Sequence, residues 1–227
     1  MDFHLDDDQT AILLSRHAGA ARVRALGGDA PAYDHDLEHQ LDQAGFLDVV
    51  TPGAGDRLNA ALVQEAISLH LGCVSTSARL LVAPSLPLGL EGPVAVVRAD
   101  HRGPARFLAD ACSVVLVAND GVRLATPARG DVSRPVSRLG WPVGMAADVA
   151  AGVALPEVDP REITTWSRIA LAIELVGAMR FATDLTVGYV IDREQFGRSI
   201  GSFQALQHRA VDHYIRIALS RSALDRA

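Results

Sequence analysis

Between residues 193 and 208 the sequence reads Arg193-Glu194-Gln195-Phe196-Gly197-Arg198-Ser199-Ile200-Gly201-Ser202-Phe203-Gln204-Ala205-Leu206-Gln207-His208. It places a fixed cation, an aromatic ring, several amides and two glycines at a turn between two helical stretches. A guanidinium grips phosphate oxygens in pairs, a flat ring lies against a planar group, and amides donate and accept hydrogen bonds. Backbone N–H groups opening the second helix also favour an anion. Arg193, Gln195, Phe196 and Gln204 are thus the candidate ligands for a molecule that joins a phosphate to a planar ring.

Other reactive side chains lack a constellation. Ser75, Ser77 and Ser85 have no nucleophile elbow and no recognisable His/Asp partners. His208 and His213 lie five apart on a helix, a poor spacing for one metal, so no metal site is expected. Cys73 and Cys112 sit in apolar surroundings without ligand spacing, which reads as two buried, reduced thiols. Trp141, followed by Pro142, reads as a structural residue in a turn.

These groups need a framework, and the composition supplies one. In 227 residues, 49% are apolar, enough for a core. The net charge of −6 argues against a nucleic-acid or anionic-membrane partner. All 21 basic residues are arginine, leaving guanidinium as the sole side-chain cation for phosphate. The start Met1-Asp2-Phe3-His4-Leu5, followed by three aspartates, is the reverse of an export signal, so a cytoplasmic protein is expected. Pro84 and Pro87 break the longest apolar stretch below the roughly 20 residues of a membrane span.

Periodicity predicts helices over residues 6–25, ended by Gly27-Gly28, over 34–44, stopped by Gly45, and over 57–71, with a partly helical segment at 77–88. Arg16, Arg22 and Arg24 are expected on the exposed side of the first. From 92 to 156 short β-branched runs alternate with turn residues, and Asn119-Asp120-Gly121 predicts a hairpin through a primed turn. Asp159-Pro160-Arg161-Glu162 has the components of a helix start with a capping box. A long helix should run from there to about Ile191, followed after a glycine-punctuated link by a second from Ser202. Two long helices seldom bury their apolar faces on each other alone, so a further C-terminal piece or a partner subunit is expected to cover them. The expected fold is α+β and mainly α: a helical unit at 1–91, a small antiparallel β unit at 92–157 and a partial helical bundle at 158–227.

The segment from Arg193 to His208 resembles the Arg-x-Gln-Phe-Gly-x-x-Ile-x-x-Phe-Gln-x-x-Gln-His pattern of the acyl-CoA dehydrogenase family at every specified position, and Tyr189 fits as well. The order helices, strands, helices agrees, and Gly45-Phe46-Leu47 after Glu38 resembles a passage of that family's N-terminal domain. The resemblance implies FAD as cofactor and oxidation of an acyl-CoA thioester to the 2,3-enoyl-CoA. It also implies an oligomer, with the same or another acyl-CoA dehydrogenase subunit, and an electron-transfer flavoprotein as acceptor. It places Arg193 at the FAD pyrophosphate, Gln195 and Phe196 on the adenosine side, and Gln204 as a further polar contact, all across a subunit interface.

The sequence departs from the family elsewhere. The Thr-Glu-Pro/Gly-Ser-Asp stretch and the Trp-Ile-Thr-like strand around the flavin ring are not recognisable. At one of the family's two positions for the catalytic glutamate stands Ser167, before Arg168; the other falls beyond Ala227. Glu174, two turns after Ser167, is the candidate displaced base, against the alternative of an interface or exposed carboxylate. The Arg98-to-Arg106 cluster with His101 is either a contact for a CoA phosphate or exposed loop charge. The expectation is a shortened or incomplete dehydrogenase subunit, catalytic or purely structural.

Overall fold

The computed structural model describes residues 7–27, 32–51, 54–55, 57–90, 92–127, 131–136, 141–146, 152–224 and 226. Of the N-terminal residues read against export, Met1 to Asp6 lie outside this set, as does Gly28, while Asp7 and Asp8 open the first helix. Helices α1 (Asp7–His17), α2 (Ala20–Gly27) and α3 (His35–Gln43) precede a short pair of strands, β1 (Val50–Thr51) and β2 (Ala54–Gly55), and then α4 (Arg57–Leu69). The helix expected over 6–25 is divided at Ala18–Gly19, where Gly19 turns the chain with φ 105°. Arg22 is not a free surface cation: it grips the buried Asp34 through two bonds of 2.8 and 2.7 Å. Asp34 in turn caps α3 by accepting from Leu37 N. Gly45, with φ 78°, follows the end of that helix as expected.

The segment expected to be partly helical is a π-helical turn at Ala78–Val82 and a 3-10 turn at Ala83–Ser85. Ala78, Leu80, Leu81, Val82 and Ala83 are buried, so packing holds it in this uncommon form. Strands follow at Val94–Arg98 (β3), Ala105–Arg106 (β4), Ser113–Ala118 (β5), Gly121–Ala125 (β6), Val132–Ser133 (β7), Val143–Ala146 (β8) and Val153–Leu155 (β9). One sheet has the order β3-β5-β6-β9 and a smaller one β4-β8-β7. Every ladder among the described residues is antiparallel except β3 with β5, which are joined by the crossover through β4. The β5–β6 hairpin closes at Ala118↔Gly121. Neither Asn119 nor Asp120 has a positive φ, so the expected primed turn is not made. Cys73 is buried, and burial pushes its thiol up to about 12. Cys112, by contrast, is exposed: it lies just before β5, outside the strand pattern that would bury it.

Helix α5 (Pro160–Asp192) connects these parts. Asp159 caps it through Arg161 N at 2.8 Å. The capping box is not closed, because Glu162 accepts from the Ser85 hydroxyl at 2.6 Å instead of turning back. Ile163 enters the core of the four-stranded sheet, while Ala170 and Ile173 enter the core built from α1, α3 and α4. Helix α6 (Gln204–Leu224) returns alongside α5. The buried Glu65 of α4 ties all three helices together, meeting Arg180 of α5 at 2.6 Å and Arg221 of α6 at 3.2 Å.

The α4–α5 crossing depends on Gly177. A Cβ there would lie 2.6 Å from the Ser68 side chain and 2.7 Å from the Glu65 carbonyl oxygen, so the helices must separate to accept one. Alanine's better helix propensity, about 1 kcal/mol, does not offset backbone overlap. Gly177→Ala is expected to destabilise the protein by about 1–3 kcal/mol in urea unfolding; unchanged or increased stability would contradict this packing.

Candidate functional site

At the C-terminus of α5 the chain forms a tight hairpin of β10 (Glu194–Gln195) and β11 (Arg198–Ser199) before entering α6. Phe196 and Gly197, the two turn residues, both have positive φ, 55° and 74°. Two successive left-handed residues match a primed hairpin turn, and Gly197 occupies its second position without strain. The loop is anchored from behind. Ser199 Oγ bonds Val190 O and Ile191 O at 2.9 and 2.8 Å, and Ile200 N donates to Arg193 O at 2.8 Å. Gly201 lies so near α5 that a Cβ would come within 3.0 Å of Val190 O.

The outer surface of this loop is open. Phe196 is 90% exposed, edge-on to Phe203 with ring centroids 6.4 Å apart. Arg198 lies over the other aromatic, 4.2 Å from the Phe203 ring. Arg193 is exposed at the helix end, and among the described residues its guanidinium meets no carboxylate. Gln204, the first residue of α6, is likewise exposed, and among the described residues the Gln195 side chain bonds only the neighbouring Glu194 carbonyl, at 2.7 Å. The four sequence candidates therefore share one short loop. The donor set fits an adenosine diphosphate group: a guanidinium for phosphate, an outward ring for a base and two amides, on a backbone already fixed.

Glu174 lies elsewhere, where α5 passes the π-helical turn and β4. It is nearly buried and both its oxygens are engaged. Oε1 accepts a hydrogen bond from the Ser77 hydroxyl, and Oε2 stands 2.7 Å from Arg106 Nη2. The Arg106 N–H vectors miss hydrogen-bonding geometry, so this contact is an ion pair rather than an aligned bond. Arg106 lies against two mutually perpendicular rings, 4.9 Å from Phe107 and 4.4 Å from Trp141. Phe107 has φ 60° and donates its N–H to Pro142 O at 2.8 Å. Trp141 thus has the structural place expected of it. Sequence reasoning missed Ser77 and Arg106 as partners of Glu174, because they are 97 and 68 positions away and no local pattern links them. Ser167 Oγ is turned back to Ile163 O at 2.7 Å, and His208 and His213 are exposed on α6.

The order of helices, strands and two long C-terminal helices is the architecture of the acyl-CoA dehydrogenases. The model of the acyl-CoA dehydrogenase C-terminal domain matches residues 160–227. The acyl-CoA dehydrogenase IpdE2 of Mycobacterium tuberculosis is 32% identical over 237 residues, covering 96% of this chain and 72% of the relative. Its namesake in Mycolicibacterium smegmatis is 30% identical over 230 residues, at 96% and 73%. Among solved structures, a variant of the Tcur3481-Tcur3483 steroid ACAD shares the fold with TM-score 0.75 and 23% identity, over 96% of this chain and 74% of that one. The ChsE4-ChsE5 complex of Mycobacterium tuberculosis does so with TM-score 0.74 and 20% identity, over 99% and 78%. This chain belongs to the acyl-CoA dehydrogenase family of oxidoreductases.

The Glu174 contacts predict an asymmetric mutational response. Arg106→Leu alone leaves a nearly buried carboxylate without its counter-charge, and a loss of about 1–3 kcal/mol in urea unfolding is expected. Arg106→Leu combined with Glu174→Leu should recover most of it, whereas additive losses would mean that the pair is not coupled.

Proposed function

We propose that this chain is one subunit of a heteromeric, FAD-dependent acyl-CoA dehydrogenase of the cytoplasm, and that its α5–α6 hairpin lies on the adenosine-diphosphate end of FAD held by the partner subunit. The observation that carries the reading is Phe196: a large aromatic, 90% exposed, on a rigid turn between the outward Arg193 and Gln204. Together with the exposed Leu185, Tyr189 and Ile191 towards the same end of α5, it makes an apolar surface of the kind that partners cover. In this reading Arg193 neutralises the pyrophosphate, Phe196 and Gln195 border the adenosine, and Gln204 adds a polar contact. FAD, when bound, accepts the β-hydrogen of the acyl-CoA as hydride while a carboxylate removes the α-proton, giving the 2,3-enoyl-CoA. An electron-transfer flavoprotein then takes the electrons.

The solved ChsE4-ChsE5 complex, a two-component assembly by name, supports the heteromer. So do the apolar side chains that α5 and α6 leave in water, among them Leu175, Leu185, Tyr189, Ile215 and Leu219. We divide the chain at 1–91, 92–157 and 158–227, with the last part docking on the partner. A second reading, a non-catalytic subunit that stabilises the partner and retains its cofactor, is favoured by Ser167 at the family's base position. The commitment of both Glu174 oxygens to Ser77 and Arg106 favours it too.

The test is co-purification with a dehydrogenase encoded beside it, through a tag on this chain alone, followed by the flavin spectrum before and after adding acyl-CoA thioesters. A yellow complex that bleaches is expected. Arg193→Ala and Phe196→Ala should each weaken FAD retention by about tenfold or more while leaving the complex assembled. Flavin retained equally by both variants, or a colourless complex, would overturn the reading.

A further inference from the structure

Helix α3 carries two carboxyl groups one turn apart, Glu38 and Asp42, and both flank Arg79 of the π-helical turn. Their surroundings differ. Asp42 is half exposed and holds Arg79 at 2.7 Å. Glu38 is 8% exposed, and its Oε1 is sealed from water with no hydrogen-bond partner among the described residues. Such a place is costly for an anion and far less so for a neutral acid.

The groups that act on Glu38 come from each element around it. Tyr33, just before α3, faces it with its hydroxyl, Arg79 reaches it from the π-helical turn, and His35 and Asp42 share its helix. Helix α1, which also packs on α3, turns Thr10 and Leu14 inward, while its Arg16 and His17 are exposed. Burial and Asp42 disfavour the ionised form, and Tyr33, Arg79 and His35 favour it. Burial is the largest of these, so Glu38 keeps its proton above the ordinary carboxylate range. The Arg79–Asp42 pair, by contrast, is open to water on the Asp42 side and therefore weak, so little holds the arginine there.

Tyr33 links this cluster to the sheet. Its buried hydroxyl accepts from Ser75 N at 3.0 Å and shares a bond of 3.1 Å with Ser75 Oγ, which accepts from Val94 N at 2.8 Å. Either hydroxyl of the Tyr33–Ser75 pair can donate, so the direction of that bond is free to follow the proton on Glu38. The bonds run on from Tyr33 to the first residue of β3.

We propose that Glu38 and Asp42 form a proton-controlled, two-position seat for Arg79. With Glu38 neutral, Arg79 rests on Asp42; when Glu38 gives its proton to solvent, Arg79 turns inward and Asp42 is released to water. The exchange alters how α3 is held against the π-helical turn, and Tyr33 and Ser75 transmit it to β3. It needs neither cofactor nor second subunit, so it stands apart from the flavin reading. Because the folded chain holds this proton more tightly than the unfolded one, the proton's contribution to stability is complete below the ordinary carboxylate range. It is lost as pH rises through the raised value.

NMR of the full chain, labelled with 13C at the glutamate carboxyls and with 15N, tests this over a pH titration. The Glu38 carboxyl resonance, identified by its loss in Glu38→Gln, should titrate above the ordinary glutamate range. The Arg79 Nε–H and Val94 amide resonances should move with the same midpoint and stay still in Glu38→Gln. Asp42→Asn, at an exposed position, should lower that midpoint by freeing the arginine for Glu38, and Arg79→Gln should raise it. In urea, Glu38→Gln should unfold at a higher midpoint than the native chain at about pH 8 and at the same midpoint at about pH 4. Titration of Glu38 within the ordinary range, or Arg79 and Val94 resonances indifferent to it, would each overturn the proposal. So would a Glu38→Gln chain no more stable than the native one at about pH 8.

Discussion

A helix of 33 residues has more surface than one small core can cover, and α5 shows how that surface is divided. Its first half is enclosed on one face: Ile163 sits in the sheet core, and Ala170, Ile173, Val176 and Gly177 are buried further along, while Leu171 and Leu175 stay exposed. Beyond Thr183 it meets chiefly α6, and Leu185, Tyr189 and Ile191 face water. The first half carries Glu174 with Ser77 and Arg106 against it, and the far half carries the hairpin at Arg193. Both candidate sites thus take their position from one rigid rod, and its direction is set where Gly177 crosses α4 and where Glu65 meets Arg180 and Arg221.

The exposed faces of α5 and α6 are costly for a free-standing chain. Leu175, Leu185, Val211, Ile215 and Leu219 are each more than half exposed. Side chains of this size lose about 1.5–3 kcal/mol of burial energy when left in water. A second subunit on α5 and α6 would recover that energy and bring Phe196 and Arg193 onto its own surface. Assembly and cofactor contact are in this account one event. The two arrangements of arginine differ accordingly: Arg180, Arg221 and Arg106 neutralise buried carboxylates inside the chain, whereas Arg193 and Arg168 point outward with no such partner among the described residues.

The parts legible from sequence were those whose determinants are local. Asp159-Pro160 fixed the start of α5, Gly45 the end of α3, and the Arg193–His208 pattern the family and the candidate hairpin. What escaped depends on partners distant in sequence. Arg22 looked like a surface cation until Asp34 was seen against it, and Glu162 turned to Ser85 rather than closing a box. Cys112, in an apolar run, proved exposed because the run bends at the strand start. The Ser77–Glu174–Arg106 cluster joins three elements, and no spacing rule could have assembled it.

The central claim is that the α5–α6 hairpin closes over a cofactor held by another subunit. Hydrogen–deuterium exchange on the co-purified complex, with and without FAD, measures this directly. Amides of residues 194–204 should become protected on adding FAD only when the partner is present, and α6 should gain protection from assembly itself. Protection of the hairpin by FAD in the isolated chain, or none in the complex, would contradict the account.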